Sequence, residues 1–156
     1  MRTFKQIKGL PVIEYQSAKQ IGRVTDLIFS QNGIIAGICV NSGLLQKSRQ
    51  YPKSSIVSIG QDCVMVDCAK SRDKFTQQNL GFLSNHLYHK TVFSSNGNIL
   101  GLLEDVYFCE QVGTILAYEL TEGFFADLTE GKKQISPQTP QIKVSKEALV
   151  VDFMQE

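Results

Sequence analysis

The chain contains one internal duplication, and this repeat limits its fold to two units of the same kind. Ile21–Phe29 aligns with Leu100–Phe108 at a shift of 79 residues. The shift then grows to 80 and 85 while further residues coincide: Gly33 with Gly113, Gly43 with Gly123, and Pro52 with Pro137. Because the extra residues fall where loops are expected, we interpret the halves as duplicated domains. We predict units at residues 1–68 and 84–156, joined by a linker at residues 69–83.

Short β-strand signals dominate both units. Val, Ile, Leu, Phe and Tyr, which favour strands, are frequent in the two long matched segments at 21–29 and 100–109. Each long segment is followed by turn residues that include a glycine. The returning and last strands are predicted at Ile34–Asn41, Thr114–Thr121, Val64–Cys68 and Ala148–Phe153. Gly22 and Gly101 interrupt the long segments, which indicates a bulge or bend of the kind that small barrels need.

Helix signals are scarce. Residues 123–131 are compatible with one or two helical turns that end at Gly131. Ser71–Gly81 carries a cap residue at its start and a glycine at its end, which predicts a short connecting helix. The expected fold class is therefore all-β with minor α content. It consists of two homologous small β-barrels in tandem, connected by a short helix or loop.

The distribution of charge differs between the halves. The whole chain has a formal net charge of +1, which argues against a protein that binds polyanions over its entire surface. Residues 1–80 hold 11 basic and 5 acidic side chains, whereas residues 81–156 hold 5 basic and 10 acidic ones. This asymmetry indicates two units with different surroundings, and the alternative is independent drift of two solvated surfaces.

The order of these motifs resembles the PRC-barrel domain. Gly9–Val12 precedes Ile21–Asp26, a glycine hairpin and a late valine-rich strand, and Ile99–Asp105 repeats the central motif. Gly123–Leu128, followed by Gly131 and Lys132, is similar to the second copy in stand-alone tandem PRC-barrel proteins of bacteria. The second unit departs from the pattern at its first predicted strand, because His89–Thr91 stands where the first unit has Leu10–Val12.

The resemblance carries an expectation about function. PRC-barrel domains are small β-barrels found in the ribosome-maturation factor RimM and in the cytoplasmic part of the photosynthetic reaction-centre H subunit. The resemblance therefore implies an assembly or binding module and not an enzyme. A fold does not by itself fix a function, so this expectation is an analogy.

The candidate metal and acid–base residues have simpler structural interpretations. Cys39, Cys63, Cys68 and Cys109 form no C-x-x-C pair and are expected to be reduced thiols. His86 and His89 have the spacing of a metal pair on a helical turn, but no third ligand is evident, so we predict no metal site. Asp26 and Asp105 occupy equivalent places, and each is expected to accept backbone N–H bonds at a bend in its own unit. Asp67 and Asp152 are expected to cap strand ends.

One segment of the first unit is a candidate partner-binding surface. Gln46–Lys53 holds three cations and one aromatic residue, whereas the corresponding stretch of the second unit has mixed charge. The hypothesis is that Lys47, Arg49 and Lys53 on an exposed loop contact phosphates or an acidic protein, with Tyr51 adding stacking or apolar area. The alternative is a solvated loop that only keeps the protein soluble.

The sequence favours a non-catalytic adaptor or assembly module that binds another macromolecule, with a protein as the first expected partner. Nucleophile-elbow, Walker and G-x-G-x-x-G motifs are missing from the sequence, and no cofactor is expected. One alternative is a ribosome-associated or RNA-processing factor, and another is a regulatory protein that binds a small molecule or metal. We expect a cytoplasmic protein, because the sequence lacks an export signal and a membrane-spanning run.

Overall fold

The computed structural model describes residues 1–30, 32–43, 48–72, 82–83, 88–111, 113–139, 142–145 and 147–153. Within these ranges, the side chains of residues 71–72, 82–83 and 124–125 are not described. The connecting helix expected over Ser71–Gly81 falls mostly outside the described residues. Its first two residues belong to a short 3₁₀ helix at Cys68–Arg72.

The first barrel is built from short strands of the first unit. In chain order the elements are β1 (Arg2–Thr3), α1 (Phe4–Ile7), β2 (Pro11–Glu14), β3 (Gln20–Phe29), β4 (Ile35–Asn41), β5 (Arg49–Pro52), a 3₁₀ turn (Lys53–Ser55), β6 (Ile56–Ile59) and β7 (Val64–Val66). The strand order is β5-β4-β3-β2-β7-β6. Pairs are antiparallel except β2 with β7, which is parallel.

The second barrel repeats this arrangement. Its elements are β8 (Phe82–Leu83), β9 (Thr91–Ser94), β10 (Ile99–Phe108), β11 (Ile115–Thr121), α2 (Phe124–Glu130), β12 (Lys133–Ile135), β13 (Ile142–Val144) and β14 (Ala148–Val151). The strand order β12-β11-β10-β9-β14-β13 matches that of the first barrel position by position. The all-β fold of two tandem barrels, expected from the repeat, is therefore confirmed.

The two units exchange their first strands. β1 at the start of the first unit pairs with β10 of the second, through Arg2 opposite Phe108. β8, which occupies the equivalent place in the second unit, pairs with β3 of the first. Residues 82–83 were expected inside the linker. They form a strand because their backbone groups complete the edge of β3.

A reciprocal bridge joins the units a second time. The amide of Ile35 donates to the carbonyl of Gly113 at 2.8 Å, and the amide of Ile115 donates to the carbonyl of Gly33 at 2.8 Å. Ile35 matches Ile115, and Gly33 matches Gly113, so a pseudo-twofold axis relates the two bonds. We call this junction, together with the exchanged strands, the seam.

The hydrophobic core is continuous across the seam. Buried side chains of both units, among them Leu27 and Phe29 of the first and Leu103 and Phe108 of the second, belong to one contacting cluster. The repeat predicts that each barrel closes over its own core, and the structure joins the two cores. The physical reason is that Phe4 and Ile7 of α1, which contacts β3 and β10, are fully buried between the units. Burial of such side chains contributes about 1.5–3 kcal/mol each.

Gly22 and Gly101 lie at bulges where two strands approach closely, as their positions in the sequence indicate. A Cβ on Gly22, whose φ is 152°, would lie 2.5 Å from the carbonyl oxygen of Asn41. A Cβ on Gly101, whose φ is 144°, would lie 2.9 Å from the carbonyl oxygen of Thr121. The pairing of each long strand shifts register beside its glycine. The bulges bend the strands, which allows a short sheet to curl.

The structure corrects the alignment at the start of the second unit. Val12 pairs with Gly22, and Val92 pairs with Gly101, so Val92 takes the place of Val12. His89 therefore matches Gly9 and not Leu10. Both residues have positive φ, 60° for His89 and 88° for Gly9, which explains why the glycine motif is hard to recognise in the second copy. The strand β9, which is the counterpart of β2, is therefore present in the second unit.

Asp26 and Asp105 are buried at a second pair of bulges, where they satisfy backbone amides. Each Oδ1 accepts a 2.8 Å bond from the next residue's amide, Leu27 and Val106 respectively. Oδ1 of Asp105 also accepts a 3.3 Å bond from the amide of Lys5 in the first turn of α1. The second unit therefore binds the N-terminal helix of the first. The structural role expected for these carboxylates agrees with these bonds.

The helices have local explanations. Thr3 and Gln6 form a capping box, in which each side chain accepts a bond from the other residue's backbone amide, and α1 starts there. Helix α1 is not among the predicted helices, although its T-x-x-Q signal is present in the sequence. α2 ends at Gly131, whose φ of 77° is left-handed, as the glycine predicts.

We predict that the two units stay associated after the chain is cut between them. A site for a specific protease, inserted between residues 72 and 82, would yield two fragments held by the exchanged strands and the shared core. The fragments should co-elute in native size-exclusion chromatography and separate only in denaturant. Independent elution of the two fragments under native conditions would contradict the seam.

We predict that Asp105→Ala destabilises the protein more than Asp105→Asn. Alanine leaves the buried amide of Val106 without this acceptor, at about 1–3 kcal/mol, and removes the acceptor of the partly buried amide of Lys5, whereas asparagine keeps one side-chain oxygen. Chemical denaturation measures the free energy of unfolding. The exposed Asp62→Ala serves as control and should change that free energy by less than about 0.5 kcal/mol. Equal stability of Asp105→Ala and Asp62→Ala would refute the capping role.

Candidate interaction surface

The structure separates the four residues of the sequence-predicted partner patch. Lys47 lies outside the described residues. Arg49 is exposed at the start of β5. Lys53 is half-buried beyond the other end of that strand, about 13 Å away at 3.3 Å per residue. A single exposed loop carrying all four side chains is therefore incorrect, because residues 49–52 form a strand.

Tyr51 faces the core, and this corrects its assignment to the surface. It is only 6% exposed and belongs to the buried cluster, like Ile135 at the same position in the second barrel. Burial raises the pKa of its hydroxyl, which also contacts the guanidinium of Arg49. Tyr51 thus offers no stacking surface to a partner. Arg49 and Tyr51 are two residues apart and share a face of β5, where the ring is buried and the cation lies at the exposed start of the strand.

Lys53 belongs to a cleft at the seam. Its Nζ lies 3.0 Å from the point where a Cβ of Gly113 would stand, so the glycine makes room for the cation. The cleft has a volume of about 480 Å³ and is lined by both units, including Ile56, Phe108 and Glu110. Oε2 of Glu110 is 3.4 Å from the N-terminal amine. Lys53 and Glu110 therefore lie at the junction of the units.

The thiols and histidines do not assemble into a site in the described part of the chain. Cys39, Cys63, Cys68 and Cys109 are all free. Burial raises the pKa of Cys39 to about 11, which keeps it a neutral thiol at ordinary pH. His89 is exposed, and His86 lies outside the described residues. Within the described ranges, no three His, Cys, Asp or Glu side chains are placed to hold a metal ion.

Each barrel has one end that points away from the seam, and the two ends differ in their exposed side chains. In the first barrel this end carries the β2–β3 hairpin, the end of β4 and the start of β5. Four exposed side chains define what we call the first rim: Tyr15, Lys19, Arg23 and Arg49. Among the residues the structure describes, none of the three cations forms an ion pair.

The corresponding end of the second barrel has different chemistry. Exposed side chains define what we call the second rim: Ile99, Leu102, Glu122, Leu128 and Glu130. Ile99 and Leu128 are 69% and 68% exposed, and Leu102 is 39% exposed. Two adjoining grooves of about 440 and 510 Å³ share Thr121 and include these three apolar residues in their walls.

Charged groups beside the second rim are partly paired with each other. Lys132 lies 3.5 Å from Oε2 of Glu104, and Lys133 lies 4.0 Å from Oε1 of Glu122. A hydrogen bond from Lys5 lowers the pKa of Glu104, so this carboxylate is ionised. With Asp127 and Glu130 included, carboxylates outnumber lysines around the grooves. The rim therefore combines exposed apolar side chains with an excess of carboxylates.

The duplication provides an internal comparison of the two rims. Ile99 stands where the first barrel has Gln20, and Leu102 stands where it has Arg23. Because the same fold accepts polar residues at both positions, the barrel does not require exposed apolar side chains there. Ile99 and Leu102 are not among the residues that the two copies share, so the repeat alone does not indicate this surface. The second rim could have been predicted from the positions at which the two copies differ.

Two small β-barrels in tandem, each with its own outer rim, define the structural class of this protein. The family model of the PRC-barrel domain matches residues 1–72 and 81–156. The chain therefore belongs to the PRC-barrel family, which confirms the resemblance seen in the sequence.

A relative in Bacillus subtilis (strain 168) is similar to nearly the whole chain. The chain is 31% identical over 153 residues to the protein called Uncharacterized protein YrrD. The alignment covers 97% of this chain and 88% of the relative. The similarity thus includes both barrels. In the described part of the chain, no helix has the length and apolar character needed to cross a membrane.

We predict that Cys39 resists alkylation in the folded protein. With a pKa of about 11 and a buried side chain, it has little thiolate at pH values below about 9. Mass spectrometry after brief treatment with iodoacetamide should find Cys39 unmodified while the protein is native. All four cysteines should be modified in denaturant, which serves as the control. Rapid labelling of native Cys39 near neutral pH would contradict this environment.

Proposed function

We propose that this protein is a non-catalytic, cytoplasmic binding module that engages other macromolecules, proteins first, through its outer rims. The observation that carries the proposal is the difference between corresponding positions of the two barrels. Gln20 and Arg23 of the first barrel are ordinary surface residues, whereas Ile99 and Leu102 of the second are exposed and apolar. Four free cysteines fit a reducing compartment.

Exposed apolar residues at the second rim support protein binding. Single exposed leucines are common on soluble proteins, but clustered ones beside grooves are typical of interaction sites. Ile99 and Leu102 contribute walls to one groove, and Leu128 contributes to the adjoining one. Burial of such side chains by a partner stabilises a complex by about 25 cal/mol per Å² of apolar surface before association costs.

The environment of the titratable groups supports a non-catalytic function. Asp26 and Asp105 accept bonds from backbone amides and are buried, so neither carboxylate is exposed at the surface. Cys39 is a buried thiol and not a thiolate. A general base or nucleophile must reach a substrate, and these groups are used by the fold instead.

The matched variant converts the second rim into its counterpart in the first barrel. Ile99→Gln with Leu102→Arg introduces the residues that the first copy carries, and both positions are exposed, so folding should be retained. Tagged wild-type and variant protein would be used to capture partners from nuclease-treated lysate of the native host. We expect the variant to lose proteins that the wild type retains.

The exposed Leu116→Ala serves as control, because it also removes an apolar side chain and installs the first copy's residue away from the second rim. This control should capture the same proteins as the wild type. Partners that the wild type captures from untreated lysate but not from nuclease-treated lysate would favour the RNA-associated alternative. Identical capture by the wild type and the rim variant would refute the rim as a binding surface.

A further inference from the structure

We propose that the second rim binds the first rim of another copy of this chain, so that the protein associates head to tail. This inference rests on the proposed function, because it names the partner that the second rim accepts. Both contacting surfaces belong to the described residues, and their chemistry can be compared directly.

Opposite charge is the first argument for this pairing. The first rim presents Lys19, Arg23 and Arg49, none of which is ion-paired among the described residues. The second rim presents Glu122 and Glu130, and Glu122 lies 4.0 Å from its nearest described cation, Lys133. Complementary potentials steer encounter and fix the register of an interface. The net charges of the two halves have the same opposite signs.

Apolar and aromatic surface is the second argument. Tyr15 on the first rim is 55% exposed and lies in the hairpin that precedes Lys19. Ile99 and Leu128 on the second rim are more exposed still. Tyr and Arg are enriched in protein interfaces, and aromatic rings fit apolar grooves. Contact between the rims would remove this surface from water on both copies.

Like-to-like contact is less favourable for the same reasons. Two second rims face to face would bring Glu122 and Glu130 of both copies together, and two first rims would bring three cations against three. Like charges placed opposite each other oppose association. Only the unlike pair combines opposite charges with apolar area on both sides.

The positions of the two rims determine which kind of assembly head-to-tail contact forms. Each rim lies at the strand ends that point away from the seam, where β3 begins at Gln20 and β10 begins at Ile99. A copy bound through one rim therefore keeps its other rim accessible. An interface between unlike surfaces is heterologous, so association continues into chains or closed rings instead of stopping at a symmetric dimer.

Sedimentation velocity of the purified protein tests the proposal. The average mass should rise with concentration at low ionic strength and fall when salt is raised to about 0.5 M, because the Debye length shortens. Lys19→Glu with Arg49→Glu alters the first rim, and Glu122→Lys with Glu130→Lys alters the second. Each double variant alone should show at least about tenfold weaker association, equivalent to about 1.4 kcal/mol.

Mixing the two variants is the decisive measurement. The reversed first rim of one is then acidic, the reversed second rim of the other is basic, and the unaltered rims still match. The mixture should recover association that neither variant shows alone. Lys143→Glu, an exposed change on β13 beside a cleft that also contains Asn32 of the first unit, is the control and should behave as wild type. Circular dichroism should show all variants folded.

A single species of monomer mass at every concentration would overturn the proposal, and so would association that the charge reversals do not change. Failure to recover association on mixing would also overturn it. If the protein stays monomeric while host proteins still depend on Ile99 and Leu102 for capture, the self-association is refuted and the proposed function stands.

Discussion

The structure depends on backbone hydrogen bonds that strands of one unit form with strands of the other. β1 completes the edge of β10, β8 completes the edge of β3, and Asp105 binds an amide of α1 in the other unit. Removing an exchanged strand would leave backbone groups unpaired beside the buried core, which is costly. The seam therefore makes one cooperative structure of two copies that the sequence presents as separate.

Much of the architecture follows from local sequence signals. Strand propensity, turn glycines and the bulge at Gly22 depend on neighbours within one unit, so the repeat predicted the barrels correctly. The exchange could not be predicted in this way. Arg2 and Phe108 are paired although they are more than a hundred residues apart in the sequence. The hydrophobic pattern of either segment does not indicate which strand its backbone will pair with.

The candidate site was predicted only in part for a related reason. Arg49 was correctly placed at the surface, but Tyr51 was assigned to a loop because its neighbours are polar. In a strand, successive residues face opposite sides, so the polar residues next to Tyr51 in the sequence do not determine where Tyr51 points. The second rim required comparison between copies at positions where they differ, and Ile99 against Gln20 is the clearest instance.

The exchanged strands also affect how the chain folds while it is being synthesised. One edge of the end of β3, at Ile28 and Phe29, has no partner until residues 82–83 leave the ribosome, and β1 has none until β10 is made. The N-terminal half must therefore wait with an open edge and a partly exposed core. Protein synthesis adds about 5–20 residues per second, so the wait lasts several seconds. A chain with this topology completes its first barrel only after its second has begun.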